Sequence, residues 1–181
     1  STMPTNTWLN GRSRSVRMTS CLPPAAFFTS VTSRITETKF VASTKKYKIG
    51  DKLKDDTNMG PMITEAEAIR VEKWVNEARE KGATVLTGGK RKGALFEPTV
   101  LENVPKNITI HCEEVFGPTV NLYPIDDLDE AIKEANSLPY GLLAAIFTSN
   151  VDVAFKASYD LDCGGVMIND STDYRLDSMP F

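Results

Sequence analysis

Few of the residue types that commonly do chemistry occur together in this chain of 181 residues. The three cysteines, Cys21, Cys112 and Cys163, form no CxxC pair, so the sequence predicts neither a zinc site nor a disulfide framework. His111 is the single histidine. One histidine near one cysteine defines neither a catalytic triad nor a histidine-rich metal site, and we expect His111 to be a surface or strand-end residue.

A pair of carboxylates, Glu113-Glu114, stands directly before the segment Val115-Phe116-Gly117-Pro118. Carboxylates accept hydrogen bonds from hydroxyl groups and from cations, so this pair could serve a binding site. We expect the pair to lie in a strand, where adjacent side chains point to opposite faces and only one of the two can face a site. The alternative is an exposed acidic pair before a turn.

The composition is that of one globular domain, with 41% of the residues hydrophobic and 25% charged. No apolar run approaches the roughly 18 to 20 residues that a membrane span requires, so the sequence predicts no membrane insertion. Three cysteines without a pairing pattern suit a reducing environment, and we expect a cytoplasmic protein.

The charge divides the chain into two parts. Residues 1–50 carry eight Lys or Arg against one Glu, whereas the rest carry 13 Lys or Arg against 23 acidic residues. Residues 1–40 form a basic head, rich in Ser and Thr, that allows three interpretations: an arm for nucleic acid, a transit-like segment, or a start of different origin. Its aromatic residues do not alternate with basic ones as stacking platforms do. We therefore expect no nucleic-acid partner, and the role of the head stays open.

From residue 41 onward the pattern predicts alternating helices and strands. Thr64 and Glu67 form a capping box and Gly82 supplies a left-handed helix end, which predicts a helix over 65–81. Pro98 restricts the extended segment 96–101 to a sheet edge or a bulge. Further extended segments are predicted over 83–87, 117–125, 141–148 and 165–168, and further helices over 127–137 and after Asn150. This order is typical of an α/β fold with an open, mostly parallel sheet and flanking helices.

Seven sequence blocks resemble, in order and spacing, those of one enzyme family. They are Ile49-Gly50-Asp51, Thr57-Asn58-Met59-Gly60-Pro61-Met62-Ile63, Gly82-Ala83-Thr84-Val85-Leu86-Thr87-Gly88-Gly89, Glu97-Pro98-Thr99-Val100-Leu101, Glu113-Glu114-Val115-Phe116-Gly117-Pro118, Asn136 with Tyr140-Gly141-Leu142, and Ile168-Asn169-Asp170 leading to Met179-Pro180-Phe181. The chain resembles the C-terminal part of the catalytic domain of NAD(P)-dependent aldehyde dehydrogenases. We therefore expect two parts, the head 1–40 and a partial aldehyde dehydrogenase catalytic domain over 41–181.

The resemblance implies roles for two residues of the acidic block. Glu114 is similar to the family glutamate that hydrogen-bonds the nicotinamide ribose, a task that suits a carboxylate because it can accept from both hydroxyls of one ribose. Phe116 is similar to the aromatic residue that packs beside the nicotinamide. The cofactor implied for the complete enzyme is NAD or NADP, and we expect none to bind this chain by itself.

The resemblance also implies a substrate loop and a nucleophile. The segment 169–181 is similar to the loop that walls the aldehyde tunnel, which makes Asn169, Tyr174, Arg175 and Phe181 the candidate contacts of a small aldehyde substrate. The alternative for Arg175 is a solvated loop cation paired with Asp173 or Asp177. Family enzymes attack the aldehyde with a cysteine. Cys21 is the candidate nucleophile by position, but its Ser-Cys-Leu-Pro-Pro context differs from the Gly-Gln-x-Cys of the family, and an inert structural cysteine is the alternative.

The family's nucleotide-binding domain, general-base glutamate and oxyanion-stabilising asparagine lie upstream of the portion matched here. We therefore expect a partial aldehyde dehydrogenase that is inactive as an isolated chain and has no metal site. The alternative is a non-enzymatic α/β module that acts by association of subunits. We also expect a homo-oligomer, because the family's subunit-pairing tail strand lies beyond the matched portion, which leaves a sheet edge open.

Overall fold

A computed structural model describes residues 17–20, 29–31, 34–172 and 176–178 of the chain. Within these residues there are nine strands and five helices. In chain order they are β1 (Arg17–Ser20), β2 (Thr29–Val31), α1 (Arg34–Thr44), α2 (Glu65–Glu80), β3 (Thr84–Thr87), β4 (Arg91–Lys92), β5 (Leu95–Phe96), β6 (Thr99–Glu102), α3 (Thr109–Cys112), β7 (Thr119–Tyr123), α4 (Leu128–Ala135), β8 (Leu143–Phe147), α5 (Val151–Asp160) and β9 (Gly165–Ile168).

Helix α2 begins and ends where the local sequence predicts. The Thr64 hydroxyl accepts a hydrogen bond from the Glu67 amide at 3.2 Å, which satisfies one of the free amides of the first turn. Gly82 follows the helix with φ +101°, a conformation that glycine adopts without steric cost. The helix buries a stripe at a spacing of three to four residues, formed by Ala68, Val71, Val75 and Ala78. The predicted helix is therefore confirmed to within one residue.

The strands are divided between two main sheets and one hairpin. The larger sheet has the order β2-β7-β6-β3, in which β2, β7 and β6 are parallel and β3 runs antiparallel to β6. The smaller sheet has the order β1-β8-β9, with β9 parallel and β1 antiparallel to β8. Strands β4 and β5 pair as an antiparallel hairpin. The predicted α/β class with parallel strands is confirmed, although the strands form two sheets and not one.

Of the two alternatives predicted from Pro98, a sheet edge or a bulge, the edge is wrong. Strand β6 begins at Thr99, directly after the proline, and lies between β7 and β3 inside the larger sheet. Since Pro98 precedes the strand, its missing amide removes no hydrogen bond from the ladder, and the Thr99 amide donates to the Pro118 carbonyl at 2.8 Å. A register irregularity does occur in this pair, between Val85 and Thr87 of β3.

Two hydrophobic clusters pack the sheets against the helices. The first packs α2 with side chains from the larger sheet and from α3, and it includes Val71, Val75, Leu101, Ile110 and Val115. The second lies between α4, α5 and β8, and it includes Ala131, Ile132, Ile146, Ala157 and Leu161. Because Ile110 and Val115 both belong to the first cluster, the segment that joins α3 to β7 is anchored in the core on either side of the acidic pair.

Candidate functional site

The acidic pair lies on a loop, which we call the 113–118 loop, between α3 and β7. The Glu113 amide donates to the Thr109 carbonyl at 2.9 Å and closes α3, and β7 begins only at Thr119. The expectation that the pair lies in a strand is therefore wrong. The physical reason is local: the end of a helix directly before Glu113 and the turn at Gly117 leave too few residues for a strand.

The two carboxylates of the loop have different surroundings. Glu113 is exposed and accepts a hydrogen bond from the Tyr140 hydroxyl at 3.2 Å. Glu114 is half-buried, and its carboxylate forms no hydrogen bond or ion pair with the residues that the structure describes. Desolvation raises the pKa of Tyr140, and the bond to Glu113 and the charges of both glutamates raise it further. Glu114 thus has the acceptor capacity that a ligand with hydroxyl groups needs.

Phe116 has an unusual backbone conformation. Its φ is +47°, in the left-handed region that bulky side chains rarely occupy. Such a conformation persists only where the surroundings enforce it, and it is concentrated at functional sites. The side chain is 49% exposed, so the loop presents an aromatic ring to solvent two residues after the half-buried carboxylate.

Two contacts join helix α2 to the 113–118 loop. The Arg70 guanidinium donates through Nη2 to the Val115 carbonyl at 2.7 Å. Gly117 lies so close to the helix that an added Cβ would stand 2.9 Å from Val71 Cγ2. The two contacts fix the loop on either side of Phe116.

Asn169 lies at the end of the smaller sheet, directly after β9. Its side-chain Oδ1 accepts from the Thr148 amide at 2.8 Å and its Nδ2 donates to the Thr148 carbonyl at 2.9 Å. The amide group thereby imitates a strand pairing and joins the end of β8 to the end of β9. The structure thus places Asn169 on a different element from Glu114 and Phe116, and its contact with substrate stays a prediction.

Four of the predicted site residues lie outside the described residues. They are the candidate nucleophile Cys21 and the candidate substrate contacts Tyr174, Arg175 and Phe181. Their roles therefore stay predictions.

His111 is a buried residue, so the surface position expected from sequence is wrong. It is 4% exposed, and its Nδ1 lies 2.6 Å from the Tyr123 hydroxyl. Its Nε2 lies 3.7 Å from Glu134 Oε1. Burial lowers the pKa of His111, the Glu134 charge opposes this shift, and the Lys106 charge adds to it. The pairing escapes sequence analysis because Tyr123 lies on β7, and nothing in the local pattern of α3 points to it.

Two kinds of feature are absent from the described part of the chain. No three side chains of His, Cys, Asp or Glu converge there as a set that could hold a metal ion. Likewise, none of its helices has the length and apolar character that crossing a membrane requires.

Comparison with known proteins identifies related sequences. The model of the aldehyde dehydrogenase family matches residues 28–181. An aldehyde-dehydrogenase-like protein of Sinorhizobium fredii is 53% identical over 142 residues, which are 78% of this chain and 28% of that protein. The 3-sulfolactaldehyde dehydrogenase of Priestia megaterium is 43% identical over 143 residues, which are 79% of this chain and 30% of that enzyme.

Solved structures of aldehyde dehydrogenases are also similar to this chain. Aldehyde dehydrogenase 21 of Physcomitrella patens, in complex with the reaction product succinate, matches with a TM-score of 0.79 at 48% identity, over 81% of this chain and 31% of that one. Glyceraldehyde-3-phosphate dehydrogenase GapN of Methanocaldococcus jannaschii, complexed with NADP, matches with a TM-score of 0.77 at 39% identity, over 82% of this chain and 32% of that one. The chain spans about three tenths of the length of the curated relatives it matches.

Proposed function

Because the chain belongs to the aldehyde dehydrogenase family, we propose that it supplies part of the active site of an enzyme that oxidises an aldehyde to a carboxylic acid with NAD(P)+. The observation that carries this proposal is the 113–118 loop, in which the half-buried carboxylate of Glu114 stands two residues before the half-exposed ring of Phe116. That carboxylate has no hydrogen-bonding partner within the described part of the chain. Both side chains belong to one of the blocks that resemble the family.

The loop fits the nicotinamide nucleoside of such a cofactor. The Glu114 carboxylate would accept hydrogen bonds from the two ribose hydroxyls, which are stronger than neutral pairs because the acceptor is charged. The Phe116 ring would pack against the nicotinamide and limit its positions. NAD(P)+, when bound, accepts the hydride. The residues of the loop orient it, since neither side chain has a group that could take part in the transfer.

The substrate we propose is a small aldehyde that carries a hydroxyl or an anionic group. The relatives include a 3-sulfolactaldehyde dehydrogenase and lactaldehyde dehydrogenases, and Arg175 would supply a cation for such a group. Tyr174, Asn169 and Phe181 complete the proposed substrate contacts. The nucleophile would be Cys21 or, if Cys21 is an inert structural cysteine, one that another polypeptide supplies.

We propose further that the isolated chain is inactive. In the family, the general base and the nucleotide-binding domain, which forms the main cradle of the cofactor, lie upstream of the portion that this chain matches. Calorimetric titration of the purified chain with NAD+ and with NADP+ should therefore detect no binding. A dissociation constant in the micromolar range would contradict this proposal.

Fragment complementation tests the function itself. The full chain is mixed with the separately expressed nucleotide-binding half of a family relative, and reduced nucleotide is measured by absorbance with a small hydroxyaldehyde as substrate. We expect activity that neither part has alone. A non-enzymatic association module would bind the other half without activity.

Two variants make the complementation specific. Glu114→Gln should raise the KM for NAD(P)+ about tenfold, because a hydrogen bond to a charged group contributes about 1.5 to 3 kcal/mol. Glu113→Gln is the matched control, since Glu113 is the exposed neighbour that bonds to Tyr140, and it should leave this KM unchanged. Equal effects of the two substitutions would contradict the proposed role of Glu114.

A further inference from the structure

A single guanidinium joins helix α2 to the 113–118 loop. Arg70 lies in the second turn of α2, and its Nη2 donates to the backbone carbonyl of Val115 at 2.7 Å, across 45 residues of sequence. Val115 is the residue between Glu114 and Phe116, the two side chains proposed to contact the nicotinamide nucleoside. The hydrogen bond thus connects the middle of the proposed site to a residue that is not part of the site.

Arg70 is itself held in place by two neighbours on its own helix. Its Nε donates to Glu67 Oε2 at 2.7 Å, and its guanidinium carbon lies 4.3 Å from the centre of the Trp74 ring. The planar guanidinium can make a carboxylate bond, an aromatic contact and a carbonyl bond at the same time, which an ammonium group cannot. The donor that reaches Val115 is therefore pre-oriented before the loop contacts it.

The direction of the Val115 carbonyl affects the backbone conformation of the whole loop. It belongs to the peptide plane that joins Val115 to Phe116, so fixing its direction restrains the backbone rotation on either side of that plane. Phe116 has φ +47°, which a bulky residue does not adopt without a restraint. On the other side, Gly117 is packed against Val71, so the loop has a restraint both before and after Phe116.

We propose that Arg70 is a positioning residue for the cofactor-contacting loop: by holding the Val115 carbonyl it keeps Phe116 in its left-handed conformation and sets the directions of the Glu114 and Phe116 side chains. This inference rests on the proposed function for its catalytic consequence. Its structural part, the restraint on the loop, concerns the chain alone and is tested separately.

The first experiment is limited chymotrypsin digestion of the full chain, with cleavage sites identified by mass spectrometry. Phe116 is a half-exposed aromatic residue on a loop, and Tyr159 on α5, 82% exposed, is an internal reference. In Arg70→Met, which keeps the apolar stem but loses the donors, we expect cleavage after Phe116 to accelerate about tenfold while cleavage after Tyr159 stays unchanged. Arg70→Lys retains a charged donor group but not the planar fork, so it should restore only part of the protection.

Arg79→Met is the matched control, because Arg79 lies on the same helix and, among the residues that the structure describes, its guanidinium bonds only to the Asn76 side chain, at 3.1 Å. It should change neither cleavage rate. Unchanged cleavage after Phe116 in Arg70→Met overturns the proposal. Equal acceleration at Phe116 and Tyr159 also overturns it, because that result indicates general destabilisation.

The second experiment measures kinetics in the complemented enzyme. We expect Arg70→Met to raise the KM for NAD(P)+ about tenfold while the KM for the aldehyde stays within about twofold, with only part of the change recovered by Arg70→Lys. Accelerated cleavage without a change in the KM for NAD(P)+ overturns the positioning role. If the unsubstituted chain gives no active complement, the proposed function fails, and the digestion result still decides whether Arg70 restrains the loop.

Discussion

The contact between the 113–118 loop and helix α2 predicts a coupled pair of substitutions. A Cβ added at Gly117 would stand 2.9 Å from Val71 Cγ2, whereas non-bonded carbon atoms prefer about 3.5 to 4.0 Å. The overlap of about 0.6 Å or more must be relieved by moving the loop or the helix. Gly117→Ala should therefore cost about 1 to 3 kcal/mol in the free energy of unfolding, the usual range for overpacking.

Removing the atoms that Gly117→Ala would strike should relieve this cost. Val71 is fully buried, so Val71→Ala by itself should cost about 2 to 3 kcal/mol, from two lost methyl groups at about 0.8 kcal/mol each and the cavity left behind. In the double variant the methyl group added at position 117 enters the space that Val71 Cγ2 has vacated. We therefore expect the double variant to cost no more than Val71→Ala alone, which is a favourable coupling of about 1 to 3 kcal/mol.

Urea denaturation of the four chains measures this cycle, with the free energy extrapolated to water. Gly50→Ala is the control for adding a methyl group, because among the described residues its Cβ would meet only Thr57 Oγ1, at 3.4 Å. That variant should stay within about 1 kcal/mol of the original chain. Costs that add to within about 0.5 kcal/mol would refute the reasoning, since they would mean that the loop does not press on Val71.

Two further predictions concern His111 and the sheet edge. Because burial lowers the pKa of His111 below its ordinary 6.5, the unfolded chain binds the proton more readily, so the free energy of unfolding should fall as the pH drops below about 6.5. Urea denaturation between about pH 7.5 and pH 5.5 measures this pH dependence, and His111→Gln should weaken it. Because His111 is the only histidine, an unchanged pH dependence would contradict the lowered pKa of His111. We also propose that the chain is a homo-oligomer through β9, the last strand of its sheet among the described residues. Light scattering should give a mass above that of one chain. Ile168→Lys at this edge should reduce that mass, whereas the control Ile63→Lys, at a 91% exposed position, should not. A monomeric original chain would refute this proposal.

The helix caps were within reach of sequence analysis because they depend on residues that are neighbours in the chain. Thr64, Asp127 and Asn150 each accept hydrogen bonds from amides two or three residues later. These bonds form wherever the helix forms, so the sequence determines them without knowledge of the rest of the fold. The ordered blocks of residues determine the family in the same way, since their order and spacing are properties of the chain.

The conformation of the site depends on contacts between residues that are remote in the chain. The sequence determines that Glu114 and Phe116 stand two residues apart. Phe116, however, takes its left-handed conformation in a loop that is restrained by Arg70, 45 residues from Val115. The pairing of His111 with Tyr123 was likewise decided by the packing of α3 against β7.

The wrong prediction of an edge position for β6 has the same cause. Pro98 by itself leaves a sheet edge and a bulge open, and only the assembled sheet shows that β6 begins one residue later and lies between two strands. A single sequence specifies the interactions between near neighbours, because the chain itself holds those residues together. The partners of remote residues are chosen by which surfaces pack in three dimensions, and that choice belongs to the tertiary structure.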